Sequence, residues 1–334
     1  MISAGGTGGG VYPALAVAGA VRKLYPQAKL YFVGARGDMA RGLVEQSDVH
    51  FDGYHEVFAG PVAGIPLTGQ IVSAIKIAVG VVQSLVLGLR LRPEVLFLTG
   101  GWVGVPAALA CWLLRCPIVI YVPDIEPGMM LKVIGRRFAR VIAATTDATA
   151  AYYPGNRVEV TGYPLRREIL EADRARGIEA LKLDPQRRTL LVFGGSRGSR
   201  SINSTISAIA PALLEDGCQI VHISGRLDWP QVEQAHAAMT PEQRAHYQVH
   251  PFLPDIGLAF AAADLVISRA GAATLAEYPQ LGLPAILVPY PHAWRYQKVN
   301  ADFLVEREAA VRLDDERLAD ELLPLVRELL ADEE

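Results

Sequence analysis

The sequence predicts a two-domain α/β protein in which each domain is a doubly wound parallel sheet. Three observations carry that expectation. Short apolar runs, of the kind buried on both faces of a parallel sheet, alternate with helical patterns along the chain. Two glycine loops, at residues 5–10 (GGTGGG) and 194–198 (GGSRG), each follow a strand and open a helix. The second loop restarts the pattern near mid-chain, and 334 residues suffice for two domains of ordinary size. We place the domains at 1–160 and 161–334, with residues 158–167 (VEVTGYPLRR) as the hinge.

Composition narrows the function classes. Half the residues are hydrophobic and a fifth are charged, as in globular proteins. A net charge of -3 gives no electrostatic footprint for nucleic acid as a partner. Cys111, Cys116 and Cys218 lack metal-ligand spacing and suit core thiols in a reducing cytoplasm. No basic and apolar leader pattern opens the chain. The loop at Gly5 leaves four residues for the strand that feeds it, so a few further residues are expected upstream.

In the first half, residues 29–34 (KLYFVG) complete a β-α-β unit, with Pro13 near the first turn of its helix, where proline is tolerated. Residues 71–89 are almost entirely apolar and approach the length of a bilayer span. Ser73, Lys76, Gly80 and Ser84 recur there at helical spacing as a narrow polar stripe. We expect an amphipathic helix with a broad apolar face rather than a span, a core helix being the competing reading. Lys132, Arg136, Arg137 and Arg140 cluster around Phe138. Beside an apolar face, such a cluster suits reversible binding to an anionic membrane surface; alone, it is a solvated face. Residues 95–101 (VLFLTGG) and 118–122 (IVIYV) are further strands. The second leads into Asp124 and Glu126, at the carboxyl end of a strand where ligands bind in such sheets. Either carboxylate suits a general base, and either also suits capping of the next helix.

Arg166 and Arg167 follow the hinge, and the guanidinium fork suits phosphate. Residues 189–193, 220–225, 249–253 and 285–291 are strands of the second half. Among them lies the segment 264–277 (DLVISRAGAATLAE): a strand, a break at residues 269–271, and a helix from Ala272 to Gln280 stopped by Gly282 and Pro284. The amides of residues 272–274 stand at that helix N-terminus, which favours anions, phosphate above all. Glu277, one turn further, is placed to accept two hydrogen bonds from a vicinal diol such as a ribose, or to lie on a solvated face. Residues 292–300 (HAWRYQKVN) open the next helix and extend a composite pocket. Neither glycine loop has dinucleotide spacing or a P-loop lysine, and no zinc or Ser/His/Asp pattern occurs, so an oxidoreductase is disfavoured.

Taken in order, Gly5-Gly-Thr-Gly-Gly9, Gly100-Gly101, Gly194-Gly-Ser-x-Gly198, Arg269-x-Gly271-Ala272-x-Thr274-x-x-Glu277 and Gln297-x-x-Asn300 resemble the MurG family over nearly the whole chain. These are the membrane-associated N-acetylglucosaminyltransferases of peptidoglycan synthesis. The resemblance implies a GT-B fold, two Rossmann-like domains facing across a cleft, with inverting chemistry, no metal and no cofactor. It also implies transfer of N-acetylglucosamine from a UDP-sugar on the C-terminal domain to a lipid-linked acceptor on the N-terminal one. This is the step from lipid I to lipid II, at the cytoplasmic face of the cell membrane.

Carried over by position, Gly194, Gly195, Ser196, Gly198, Gly271, Ala272 and Thr274 surround the donor diphosphate, and Arg166 lies near it or the sugar. Glu277 holds the ribose, while backbone near Phe252 and Leu253 and the side chain of Arg269 frame the uracil. Gln297 binds the sugar hydroxyls, with Tyr296 and Asn300 in the same donor-side segment. Thr7, Gly8, Gly9, Gly10 and Trp102 face the acceptor; the base is not carried over, and with the family's histidine absent we expect Asp124 or Glu126 to serve. Departures from the family pattern fall mostly on the acceptor side. Gly10 replaces a histidine, Tyr121-Val-Pro-Asp124 replaces His-Glu-Gln-Asn, Tyr296 replaces a glutamine, and the family's tail would follow Glu334. They motivate two rivals: transfer to another lipid or small molecule, and a non-catalytic nucleotide-sugar-binding subunit.

Overall fold

The computed structural model describes residues 1–6, 8–62, 64–165, 167–171, 173–195, 198–291 and 296–331. They form two compact units, Met1–Pro164 and Leu165–Glu334. The first unit runs β1 (Ile2–Ser3), α1 (Gly8–Leu24), β2 (Tyr31–Ala35), α2 (Ala40–Glu45), β3 (Gly53–Val57) and α3 (Leu67–Leu91). It continues through β4 (Leu96–Leu98), α4 (Gly104–Leu113), β5 (Ile118–Val122), α5 (Met129–Arg137), β6 (Val141–Ala144) and β7 (Val158–Val160). Its strands make one parallel sheet in the order β3-β2-β1-β4-β5-β6-β7. The order reverses direction between β1 and β4, which opens a crevice at their carboxyl ends. β1 has two residues yet pairs on both sides, with Ile2 opposite Phe32 and Phe97.

The second unit repeats the plan. It begins with α6 (Arg167–Leu170), α7 (Arg174–Ala180), β8 (Thr189–Phe193), α8 (Arg200–Glu215), β9 (Gln219–Ile223), α9 (Trp229–Ala237) and α10 (Pro241–Ala245). Then come β10 (Tyr247–His250), α11 (Ile256–Ala262), β11 (Leu265–Ser268), α12 (Thr274–Leu281), β12 (Ala285–Leu287), α13 (Tyr296–Val305), β13 (Ala310–Arg312) and α14 (Leu318–Ala331). The sheet order is β10-β9-β8-β11-β12-β13, all parallel, with the reversal between β8 and β11. The central strands β8 and β11 are buried except for Phe193, as the apolar runs require, and α8 and α14 close one core over them.

Three strands escaped the sequence reading: β3, β6 and β13. β3 (GYHEV) lies at the sheet edge, where Glu56 is exposed and the alternation is broken. β10 begins two residues before the expected run, so Leu253 lies in the loop after it, half-buried.

α3 corrects the reading of its polar stripe. Ser73, Gly80, Ser84 and Gly88 are buried, while Lys76 lies off the stripe and is exposed. The stripe faces the protein because small residues let backbone approach backbone. A Cβ on Gly80 would lie 1.9 Å from the carbonyl oxygen of Phe58, and one on Gly88 would strike Leu114. Through this face α3 packs along α4. Ile71, Val72, Ile75, Val79, Val82, Val86 and Leu89 point outward instead and are all exposed. By length and composition, α3 is also long and apolar enough to cross a membrane.

Candidate active site

In the first unit, the loops after β1 and β4 flank the crevice and press together backbone to backbone. A Cβ on Gly101 would lie 2.6 Å from the carbonyl oxygen of Gly5, and Gly101 has φ of 82°. Gly8 and Gly9 are already the first residues of α1, so the glycine run is half loop and half helix start, a correction to the expected loop. Gly10 is buried there, and its carbonyl oxygen accepts from Thr99 Oγ1 at 2.6 Å. Trp102 is half-buried in the turn leading into α4. Thr7 lies outside the described residues, as do Arg166, Ser196 and residues 292–295.

β5 delivers Asp124 and Glu126 to the same carboxyl edge, both half-buried. Gly128 is the N-cap residue of α5. Tyr121, at the family's histidine position, turns inward. Its hydroxyl bonds Thr145 Oγ1 at 2.8 Å and donates to Gly162 O at 3.2 Å. Burial pushes that phenol far above its ordinary pKa.

In the second unit, the loop after β8 curls on itself. A Cβ on Gly194 would meet Ser199 N at 2.3 Å, and one on Gly198 would meet Ser224 O at 2.3 Å. Gly195 and Gly198 take φ of 85° and 77°, the left-handed region that glycine permits. The loop delivers Ser199 as the N-cap of α8, whose first amides have no partner within the helix.

Across the β8–β11 reversal, α12 begins at Thr274 rather than Ala272. Thr274 N donates to Gly271 O at 3.0 Å, and Thr274 Oγ1 donates to the same oxygen at 2.7 Å. The amides standing ahead of this helix are therefore those of residues 271–273, one position earlier than expected. Glu277 is buried one turn in, and Gly282 in the left-handed region ends the helix.

Arg269 ties these two loops together. Its Nη2 donates to Ser201 Oγ at 2.9 Å, while Nη1 donates to Asp315 Oδ1 and to the carbonyls of Val288 and Pro289. Ser201 Oγ donates to Asp315 Oδ1 at 2.8 Å. The guanidinium thus frames the site from within the unit, stacked 5.3 Å from the Tyr290 ring centroid. Neither Ser201 nor Asp315 was singled out from sequence, because a polar contact over 114 residues leaves no spacing signal. Tyr296 opens α13, half-buried, and Gln297 Oε1 accepts from Tyr290 N at 2.8 Å. Asn300 is fully buried, and its Nδ2 donates to Ala270 O at 3.2 Å.

Under the head of α8 lies a buried network that sequence reasoning missed. His222 is fully buried between Tyr247 OH at 2.7 Å and Asn203 Oδ1 at 2.9 Å. Asn203 Nδ2 donates to Ser224 O and Asp228 Oδ2, so its Oδ1 must accept, and His222 carries its proton on Nε2. Asp228 in turn pairs with Arg200 at 3.2 Å.

With this geometry in place, similarity to known proteins is informative. Residues 1–143 match the glycosyltransferase family 28 N-terminal domain, and residues 189–334 match its C-terminal domain. The fold and site define a UDP-sugar-dependent glycosyltransferase of GT-B type. The UDP-N-acetylglucosamine–N-acetylmuramyl-(pentapeptide) pyrophosphoryl-undecaprenol N-acetylglucosamine transferase of Desulforamulus reducens is 33% identical over 346 residues, covering 100% of this chain and 90% of that protein. The same enzyme of a Roseiflexus species is 36% identical, covering 95% and 83%. The crystal structure of Acinetobacter baumannii MurG matches with a TM-score of 0.74 at 25% identity, over 98% of this chain and 91% of that one. The kitacinnamycin glycosyltransferase, 16% identical with a TM-score of 0.70 over 99% and 90%, shares the fold. The chain belongs to the MurG family.

The His222 network yields a pH prediction. Burial pushes this imidazole from 6.5 down to about 3, so below 6.5 the unfolded chain binds a proton that the folded one refuses. Its contribution to stability is complete above 6.5 and is lost as pH falls toward 3. Denaturant titrations across that window should show stability falling with pH, and His222→Gln should flatten the slope. An unchanged slope in the variant would mean that other groups carry it.

Proposed function

We propose that this chain transfers N-acetylglucosamine from UDP-N-acetylglucosamine to the lipid-linked N-acetylmuramyl acceptor for which its family is named. The observation that carries this reading is the pair of loops at the β8–β11 reversal. The α8 N-terminus and the amides of residues 271–273 supply fixed donors for a diphosphate, held in register by Arg269, Ser201 and Asp315. Helix N-termini stabilise the charge that develops on departing UDP. Glu277 takes the ribose hydroxyls, Gln297 and its neighbour Tyr296 lie toward the sugar, and the backbone near Leu253 borders the base. Arg166 and Ser196 complete this set by position in the family motif, and Asn300 supports it from the core.

The acceptor lies at the first unit's loops, against residues 7–10 and Trp102. Its hydroxyl oxygen attacks the anomeric carbon, the bond to the diphosphate oxygen breaks, and configuration inverts. Asp124 or Glu126 accepts the hydroxyl proton, and UDP leaves as the anion. Turnover of Asp124→Asn and Glu126→Gln tests this: one of them should fall by about a hundredfold or more. Wild-type turnover in both would remove the carboxylates from the mechanism.

The outward face of α3 serves as a docking face on the cytoplasmic leaflet. Trp112 and Leu113 on α4, exposed Val133 on α5, and exposed Arg136, Arg137 and Arg140 continue it. Flotation with phosphatidylglycerol vesicles should recover the wild-type protein, and Ile75→Asp with Val79→Asp should leave it in solution. Wild-type protein that stays in solution would refute membrane docking.

Calorimetric titration with UDP-N-acetylglucosamine, UDP-glucose, UDP and GDP tests the donor assignment. The first and UDP should bind while GDP does not. Tighter binding of UDP-glucose would redirect the assignment to glucosyl transfer, and no binding would overturn the donor site.

A further inference from the structure

We propose that the Tyr278 hydroxyl is a positioning group of the nucleoside site: through its bond to Ser268 it fixes where Glu277 stands against β11, and with that how well the site tells a ribonucleotide from its 2′-deoxy form. The proposal rests on the donor reading given above, in which Glu277 takes the ribose hydroxyls.

α12 does not hold Glu277 by its own backbone alone. It has eight residues, with Pro279 inside it. Proline has no amide hydrogen, so the carbonyl of Leu275 loses the helical bond that would close the turn around Glu277. A side-chain tie stands beside that gap. Tyr278 is 1% exposed and Ser268 is fully buried, and Tyr278 OH lies 2.6 Å from Ser268 Oγ. Ser268 Oγ donates to Arg269 O at 3.0 Å, so the Tyr278 hydroxyl is the donor in its bond to Ser268. Burial pushes this phenol far above its ordinary pKa and keeps that proton in place. The ring packs edge-on against Phe260, with centroids 5.7 Å apart, and this contact aims the hydroxyl at the end of β11. The bond joins the residue after Glu277 to the residue before Arg269. One buried hydrogen bond thus links the backbone that carries Glu277 to the backbone that carries the Arg269–Asp315 pair. Hydrogen bonds weaken steeply when an acceptor shifts out of line, so a small release of α12 would be felt at the ribose.

The test uses the full chain and reads the calorimetric affinity for UDP and for 2′-deoxy-UDP. Tyr278→Phe removes only the hydroxyl, and Ser268→Ala cuts the same bond from its other end. In both variants UDP should bind about tenfold more weakly while 2′-deoxy-UDP changes less, so the preference for UDP shrinks. Glu277→Gln should remove most of that preference by itself. Adding Tyr278→Phe to Glu277→Gln should then bring no further loss of preference, because the hydroxyl acts through Glu277. Loss of UDP and 2′-deoxy-UDP affinity by the same factor would mark a purely structural bond and overturn the proposal, as would wild-type preference in both Tyr278→Phe and Ser268→Ala. Wild-type protein that binds UDP and 2′-deoxy-UDP equally would instead defeat the ribose reading of Glu277, and the proposal with it.

Discussion

The second unit depends on one largely buried ion pair. Arg269 leaves β11 with its guanidinium 10% exposed and meets Asp315, which follows β13, at 18% exposure. Ser201, in the first turn of α8, bonds to both partners. Three loops from three different strands are thereby locked at the carboxyl edge of one sheet. Breaking such a pair by removing one partner costs about 3 kcal/mol or more, because the other charge stays buried. Here that cost would fall on the relative position of α8 and α12.

Around this lock, positioning is done by backbone geometry and by short polar links. Gly198 brings its loop onto Ser224, and Asn203 holds Ser224 O from inside the helix. The helix that presents amides outward thus carries on its inner face the network that fixes it. The same economy appears in the first unit, where Thr99 ties β4 to Gly10 and the glycines of two loops touch. Fixed dipoles of this kind need no reorganisation when charge develops, which suits departure of a nucleoside diphosphate.

Much of this was legible in the sequence, for a physical reason. Buried parallel strands are apolar throughout, so the β11 and β5 runs announced themselves at their true bounds. Glycine loops mark close approach, so both reversal points were visible as motifs. Edge strand β3 was hidden because half-exposed residues break its pattern. α3 was legible as a helix, but not which way it faced. Periodicity finds the stripe of Ser73, Gly80 and Ser84 and says nothing of whether small residues meet water or a neighbouring backbone. Ser201, Asp315 and His222 were invisible because their partners are distant in the chain.

The contact between Gly5 and Gly101 also limits how this sequence can drift. A side chain on Gly101 would collide with Gly5, and one on Gly5 would collide with Asp38. A substitution at Gly101 meets the Gly5 backbone and cannot be absorbed without moving that loop, whereas one at Gly5 meets the end of the Asp38 side chain, which can turn aside. Neighbouring positions carry no such interlock: a Cβ on Gly10 would find ordinary contact at 3.6 Å. Variation can therefore accumulate at residue 10 while the backbone frame stays unchanged. Residue 10 is one of the positions where this chain departs from the pattern it resembles. The frame and the variable positions are thus separate inheritances, and a lineage can alter what it recognises without rebuilding how the site is held.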